Sequence, residues 1–217
     1  MQVADLAARY PCLYHMAERD AWASIRDRGL LSAIAVLDLF QVNGAQRAAL
    51  SSAHRPDKVT VGAGCGQIVL RDQKPMEATR LATALLNGVT PRDWYETINS
   101  KVFFWVQEER LCGLLNARPY RMLEHDVLVI NTASFVAAHE NQIWLCHMNS
   151  GNTFPVPHKR DLTAFKRIAN YPTKSNGAPA KEVVELVVDY EVLDIAQHVI
   201  EVRRMRAREV LGVIPLN

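Results

Sequence analysis

The chain has 217 residues, 49% of them apolar and 22% charged, with a formal net charge of +2. That length buries a sizeable core without disulfides or a structural metal, and that balance excludes a disordered or fibrous chain. The near-neutral charge does not by itself mark a nucleic-acid binder, and Arg, Asp, Glu or Asn breaks every apolar run short of the ~20 residues that a membrane-spanning helix needs.

One domain over residues 1–217 is expected. The opening Met1 to Tyr10 contains Asp5 and Arg9 and lacks the basic-then-apolar layout of a secretion signal, so the chain reads as cytoplasmic, with no membrane partner. Cys12, Cys65, Cys112 and Cys146 form no CxxC and have no His at zinc-finger spacing, so buried free thiols are expected.

In chain order, Cys12 to Met16 predicts a strand, and Ala21, Trp22 and Ile25 the face of a helix that stops at Gly29. Ser32 caps a helix over Ala33 to Gln41, and Gly44 separates it from another over Gln46 to Ala53. Lys58 to Ala63 and Gln67 to Leu70 predict two strands, the second running into Arg71-Asp72-Gln73. Ala78, Leu81, Ala82, Leu85 and Leu86 form a helical stripe closed by Asn87-Gly88. Thr90-Pro91-Arg92-Asp93 opens the next helix, with Thr90 as cap.

Lys101 to Trp105 follows as a strand, Gln107 to Ala117 as a helix, and Asp126 to Ile130 and Ile143 to Met148 as strands. The polar loop Asn149 to Thr153 comes next, then a helix over Leu162 to Ala169 and a surface loop over Tyr171 to Ala180. Glu182 to Tyr190 and Val199 to Arg203 are expected as the last two strands. About eight short strands among irregular helices indicate an α+β fold. Neither a GxGxxG after a strand nor a GxxxxGK[ST] is present, so the two common phosphate-loop architectures lose support.

Glu185 stands between Val183-Val184 and Leu186-Val187-Val188, in a strand whose composition indicates burial on both faces. A carboxylate there is explained either by an ion pair with an arginine of a neighbouring strand or by function. Glu182 begins the same segment and points to the other face. His15, at the end of the first strand, is either a satisfied core or surface residue or a ligand contact made while the strand backbone approaches the same ligand. Phe103-Phe104-Trp105 fits core packing and also fits the wall of a planar ring. The other histidines form no HExxH or comparable pair and no GxSxG is present, so neither a metal site nor a serine nucleophile is expected. Arg203, Arg204, Arg206 and Arg208, with Arg118, Arg121, Lys159, Arg160, Lys166 and Arg167, form either a solvated face or a phosphate-binding one.

Leu13-Tyr14-His15-Met16-Ala17, followed by a helix with Trp22 and Ile25 that ends Arg28-Gly29-Leu30, resembles the opening of the PARP-like ADP-ribosyltransferases. Lys101 to Trp105 resembles their middle aromatic strand. Val184-Glu185-Leu186-Val187-Val188, with Val192 and Ile195 following, is similar to the strand holding their catalytic glutamate, especially in DarT-type DNA ADP-ribosyltransferases. Arg71-Asp72-Gln73 and Asn149-Ser150-Gly151 suggest a bacterial branch with the same landmarks.

The resemblance implies a split β-sheet with peripheral helices and NAD as co-substrate in the cleft. His15, Met16, Arg71, Phe103, Phe104 and Trp105 would bind NAD, with the acceptor as the other candidate ligand of Arg71; Glu185 would be catalytic, with Glu182 as the alternative carboxylate, and Asn149, Ser150 and Arg160 would bind the acceptor. It further implies mono-ADP-ribosylation of a macromolecule, DNA foremost, by a toxin or anti-phage effector, and with that role an antitoxin or immunity partner. Phe104 stands where many relatives have Tyr, and Ala17 where a hydroxyl residue is common. A nucleotide-binding module without turnover, an NAD glycohydrolase and an RNA phosphotransferase of the same fold remain as alternatives.

Overall fold

The computed structural model describes residues 1–217, apart from the side chain of Cys65. The chain begins with α1 (Val3–Arg9), β1 (Cys12–Glu18), α2 (Trp22–Arg28), β2 (Leu30–Leu31), α3 (Ala33–Leu39), α4 (Gly44–Ser51), β3 (Val59–Val61) and β4 (Ile68–Leu70). It continues through α5 (Ala78–Ala82), α6 (Pro91–Asn99), β5 (Lys101–Trp105), α7 (Glu108–Leu115), β6 (Glu124–Asn131), α8 (Thr132–His139) and β7 (Ile143–Cys146). It ends with β8 (Phe165–Arg167), β9 (Glu185–Asp189), β10 (Glu191–Val192), β11 (Val199–Arg206) and β12 (Glu209–Ile214).

Eight strands form one antiparallel sheet in the order β12-β11-β6-β1-β5-β9-β7-β8, and two short antiparallel pairs, β10-β2 and the hairpin β3-β4, lie outside it. The fold is α+β, with the helices peripheral to the sheet. β1 pairs with β6 along its whole length, from Cys12↔Asn131 to Glu18↔His125. On its other edge it meets β5 only at Tyr14↔Trp105. Strands sharing a single rung diverge as each follows its own twist, so the edge of β1 beyond Tyr14 has no ladder with β5.

Alternation along the strands divides the core between two faces. Leu13, Ala17, Leu128, Phe104, Leu186 and Leu145 pack with Leu6 of α1 and Phe135 of α8. On the opposite face Met16 and Val127 meet Leu111 and Leu115 of α7, while Val187 and Phe165 meet Trp94 and Tyr95 of α6. The helix starts follow their caps: Ser32 Oγ accepts from the Ala35 N–H at 3.1 Å, and Thr90 and Asp93 form a reciprocal capping box.

Several expectations need correction. Leu162–Ala169 is not a helix: a 3₁₀ turn leads into β8, which pairs with β7 through Cys146↔Phe165 and Trp144↔Arg167, so an open strand edge overrides local helical spacing. The stripe from Ala78 stops at Ala82, and Leu85 instead bridges to Arg160. Val199–Arg203 is not in the final strand: β12 folds back on β11. Glu182 lies outside β9, which starts at Glu185. α8 was not expected because its apolar residues are not confined to one face, although Asn131 caps it by accepting from the Ser134 N–H. Cys112 and Cys146 are buried free thiols, Cys12 is only half-buried, and Cys65 lies outside the described side chains.

Candidate functional site

Glu185 opens β9 in register with Trp105 on one side and Cys146 on the other. It is 4% exposed. The Ser150 N–H donates to both of its oxygens, at 3.2 and 3.1 Å. Burial pushes the carboxyl up to about 7, against the hydrogen bonding from Ser150 and the charge of Arg160. Arg160 is close enough to act electrostatically, yet its guanidinium is directed at backbone carbonyls. The arginine ion pair anticipated for Glu185 is not formed; a main-chain amide takes its place.

That amide belongs to a loop built around Arg160, which is 2% exposed. Its Nη1 donates to the Ser150 carbonyl at 2.9 Å, Nη2 to Asn152 at 2.8 Å and Nε to His158 at 2.9 Å. The Trp94 indole donates to the same Ser150 carbonyl at 3.3 Å, and the Arg160 guanidinium lies 5.6 Å from the Trp94 ring. Asn149 Oδ1 accepts from the Gly151 N–H, tightening the turn. With the Ser150 carbonyl fixed on one side, its N–H is aimed at Glu185 on the other. Arg160, expected at the acceptor, holds this loop from within.

His15 lies one residue beyond the Tyr14↔Trp105 rung and turns to the other face, its ring 5.7 Å from that of Phe104. Its Nδ1 reaches across the parting to the Phe103 carbonyl at 2.8 Å. A carbonyl only accepts, so Nδ1 carries the proton and Nε2 holds a lone pair in the neutral ring. Burial lowers the imidazole to about 4, reinforced by the charge of Arg71 and opposed by the Phe103 hydrogen bond. At neutral pH His15 therefore presents an acceptor.

Arg71 follows β4 and pairs through Nη1 with Glu18 at 2.9 Å, its guanidinium 5.2 Å from the Tyr120 ring. Its Nη2 is buried without a hydrogen-bond partner. Tyr120 donates to Asp72 at 2.6 Å. Glu18 and Tyr120 were not legible as site residues, because they join Arg71 only through the fold.

The structure thus gathers His15, Phe103, Phe104 and Arg71 at the parting of β1 from β5, and separately gathers Glu185, Ser150, Asn149 and Arg160. Tyr14, Trp105 and Glu185 form one row across the sheet, whereas His15 faces away from that row. Among the described residues no hydrogen bond, ion pair or ring contact joins His15 to Glu185. Met16 is a core residue on the Tyr14 face, and the Phe103 and Trp105 rings are half-buried. Glu182 is exposed, accepts from the Tyr10 hydroxyl at 3.0 Å, and lines a surface hollow of about 260 Å³ with Tyr14 and Glu108.

The C-terminal arginines are matched by carboxylates: Arg203 by Glu108 and Glu201, Arg204 by Asp126 and Asp20, Arg206 by Glu124 and Arg208 by Glu109. They do not form a free basic patch. No described helix is long and apolar enough to cross a membrane.

Fold and site together define an α+β protein whose long antiparallel sheet opens between its two central strands beside a half-buried imidazole and a cation. The chain belongs to DUF7002, a family of unknown function whose profile matches residues 11–199. That span starts just before β1 and ends as β11 begins, so it includes both groups of site residues and leaves β12 outside. No curated protein matches the chain.

Proposed function

We propose that this protein is an NAD-dependent mono-ADP-ribosyltransferase that modifies a macromolecule, with DNA as the first acceptor to test, in the manner of a toxin or anti-phage effector. The observation that carries the reading is the opening between β1 and β5, where the Arg71 Nη2 is buried without a partner next to a neutral His15. A buried, unsatisfied guanidinium nitrogen suits an anionic ligand, and a pyrophosphate meets that need. In this reading β12-β11-β6-β1 and β5-β9-β7-β8 are the two halves of a split sheet hinged at Tyr14 and Trp105. His15 Nε2 accepts from a ribose hydroxyl, the open edge of β1 near Met16 offers backbone groups to the nicotinamide amide, and the half-buried Phe103 and Trp105 border the ring, whereas Phe104, 1% exposed and turned to the other face, is a core residue and not the ring wall expected from the sequence.

The reaction breaks the bond between ribose C1′ and the nicotinamide nitrogen, whose electron pair leaves with the ring. The acceptor atom bonds to C1′ and gives up its proton. Positive charge develops on the ribose meanwhile, and a fixed carboxylate such as Glu185 stabilises it. This role requires the 149–153 loop to yield, because the Ser150 N–H now covers the carboxylate. DNA as acceptor rests on the DarT-type resemblance, since the C-terminal arginines are already paired.

A second reading, nucleotide binding without turnover, is favoured by the 4% exposure of Glu185 and its position on the face opposite His15. Labelled NAD, incubated with the protein and either oligonucleotides or cell lysate, separates the two. Label on nucleic acid or protein supports transfer, and label only on free ADP-ribose marks hydrolysis. Thermal stabilisation by NAD without any product supports the binding module. No stabilisation at millimolar NAD removes the NAD site itself.

A further inference from the structure

On the face away from Glu185, the end of α8 meets the turn before β11, bringing His139, Asp194 and His198 together. We propose that these three residues bind a divalent transition metal of the zinc class, with water completing the coordination. His139 Nε2 lies 2.9 Å from Asp194 Oδ1, and His198 Nε2 lies 3.4 Å from Asp194 Oδ2. One ligand atom from each residue falls within 4.8 Å of the others. Ligands at 2.0–2.1 Å around a tetrahedral zinc are spaced about 3.3 Å apart, so the cluster needs only small adjustments to take the ion.

The outer contacts independently point the same way. Ser134 Oγ donates to the Asn131 carbonyl, leaving its lone pairs to accept from His198 Nδ1 at 3.0 Å. His139 Nδ1 faces Gln142 Oε1 at 3.4 Å. Each ring thus has an outer acceptor at Nδ1 and the Asp194 carboxylate at Nε2, so an ion entering between the three residues displaces the Nε2 protons that now face Asp194 while Nδ1–H keeps its outer partner, the arrangement that metal-ligating histidines require. Phe135 flanks both rings, at 5.0 and 5.5 Å between centroids, and supplies an apolar wall. The Asp194 side chain is 34% exposed, which gives solvent access for the remaining ligand. His139 and Asp194 are 55 residues apart, so linear spacing conceals the set.

The test is a titration of the metal-free, untagged protein with Zn²⁺ by calorimetry and with Co²⁺ by visible absorption. One ion per chain is expected, with a raised melting temperature and a tetrahedral or five-coordinate Co²⁺ spectrum. His139→Gln, Asp194→Asn and His198→Gln should each weaken binding by more than the roughly 10–100-fold typical of losing an outer partner, with the circular dichroism unchanged. Absence of binding by the unaltered chain, or equal affinity in all three variants, overturns the proposal. Should the variants fail to fold, anomalous scattering from zinc-soaked crystals of the unaltered protein decides: an ion between these residues supports the site, and no ion there refutes it.

Discussion

A carboxylate held by one main-chain N–H and 4% exposed is costly to ionise, and this cost makes Glu185 testable in two ways. Its proton is retained in the folded chain up to about 7 but lost near 4.5 when unfolded. Between those values the native state binds more protons, so the Glu185 contribution to stability falls as pH rises and stays low above 7. The full difference is on the order of 3 kcal/mol. Glu185→Gln is neutral throughout and keeps an acceptor for Ser150. Urea denaturation should find it more stable than the parent at pH 8 and nearly equal at pH 4.5; equal stability at both would show that the carboxyl is not desolvated. In turnover the same substitution should slow transfer by about a hundredfold or more, roughly 3 kcal/mol of lost charge stabilisation, while NAD still raises the melting temperature. Full activity in that variant removes Glu185 from the mechanism.

Between β7 and β8, the loop that covers Glu185 is held from within by Arg160, helped at Ser150 by the Trp94 indole. Arg160 donates to the carbonyls of Ser150, Asn152 and His158 from a buried position, so Arg160→Met takes the donor from Asn152 and His158, leaves Ser150 with Trp94 alone, and should cost roughly 3 kcal/mol in chemical denaturation. A residue that served only to contact an acceptor would cost less than about 0.5 kcal/mol. Legibility varied among the elements for the same reason. β5 was read with its observed bounds, and the Ser32 and Thr90 caps were found, because alternation and capping are local. The segment at Leu162 was misread because its strand is imposed by the edge of β7. Glu185 stood out as an acid among valines, but the amide that holds it comes from a segment 35 residues away.

Across the whole molecule, two imidazoles, the half-buried His15 and the fully buried His125, work against acid. His15 and His125 are both lowered to about 4, chiefly by burial, and neither nitrogen of His125 has a hydrogen-bond partner. The unfolded chain takes up these protons near 6.5 while the folded chain refuses them, so stability is lost as pH falls from 6.5 towards 4. Glu185 works in the opposite direction over much of that range. Glu185→Gln should therefore steepen the acid-side loss, read as a larger drop in denaturation midpoint between pH 6.5 and 4.5 than in the parent. An unchanged slope would show that the carboxyl does not offset the histidines.

By itself the sequence determined the α+β class, most of the strands and helix caps, and the oddity of an acid in a valine-rich segment, because each depends on neighbours within a few residues. Tertiary structure alone decided that β1 and β5 share one rung, that His15 and Glu185 turn to different faces, that the C-terminal arginines are neutralised, and that two distant histidines meet at Asp194. Each of these is a pairing between remote segments, and register and packing settle such pairings only when the chain closes on itself.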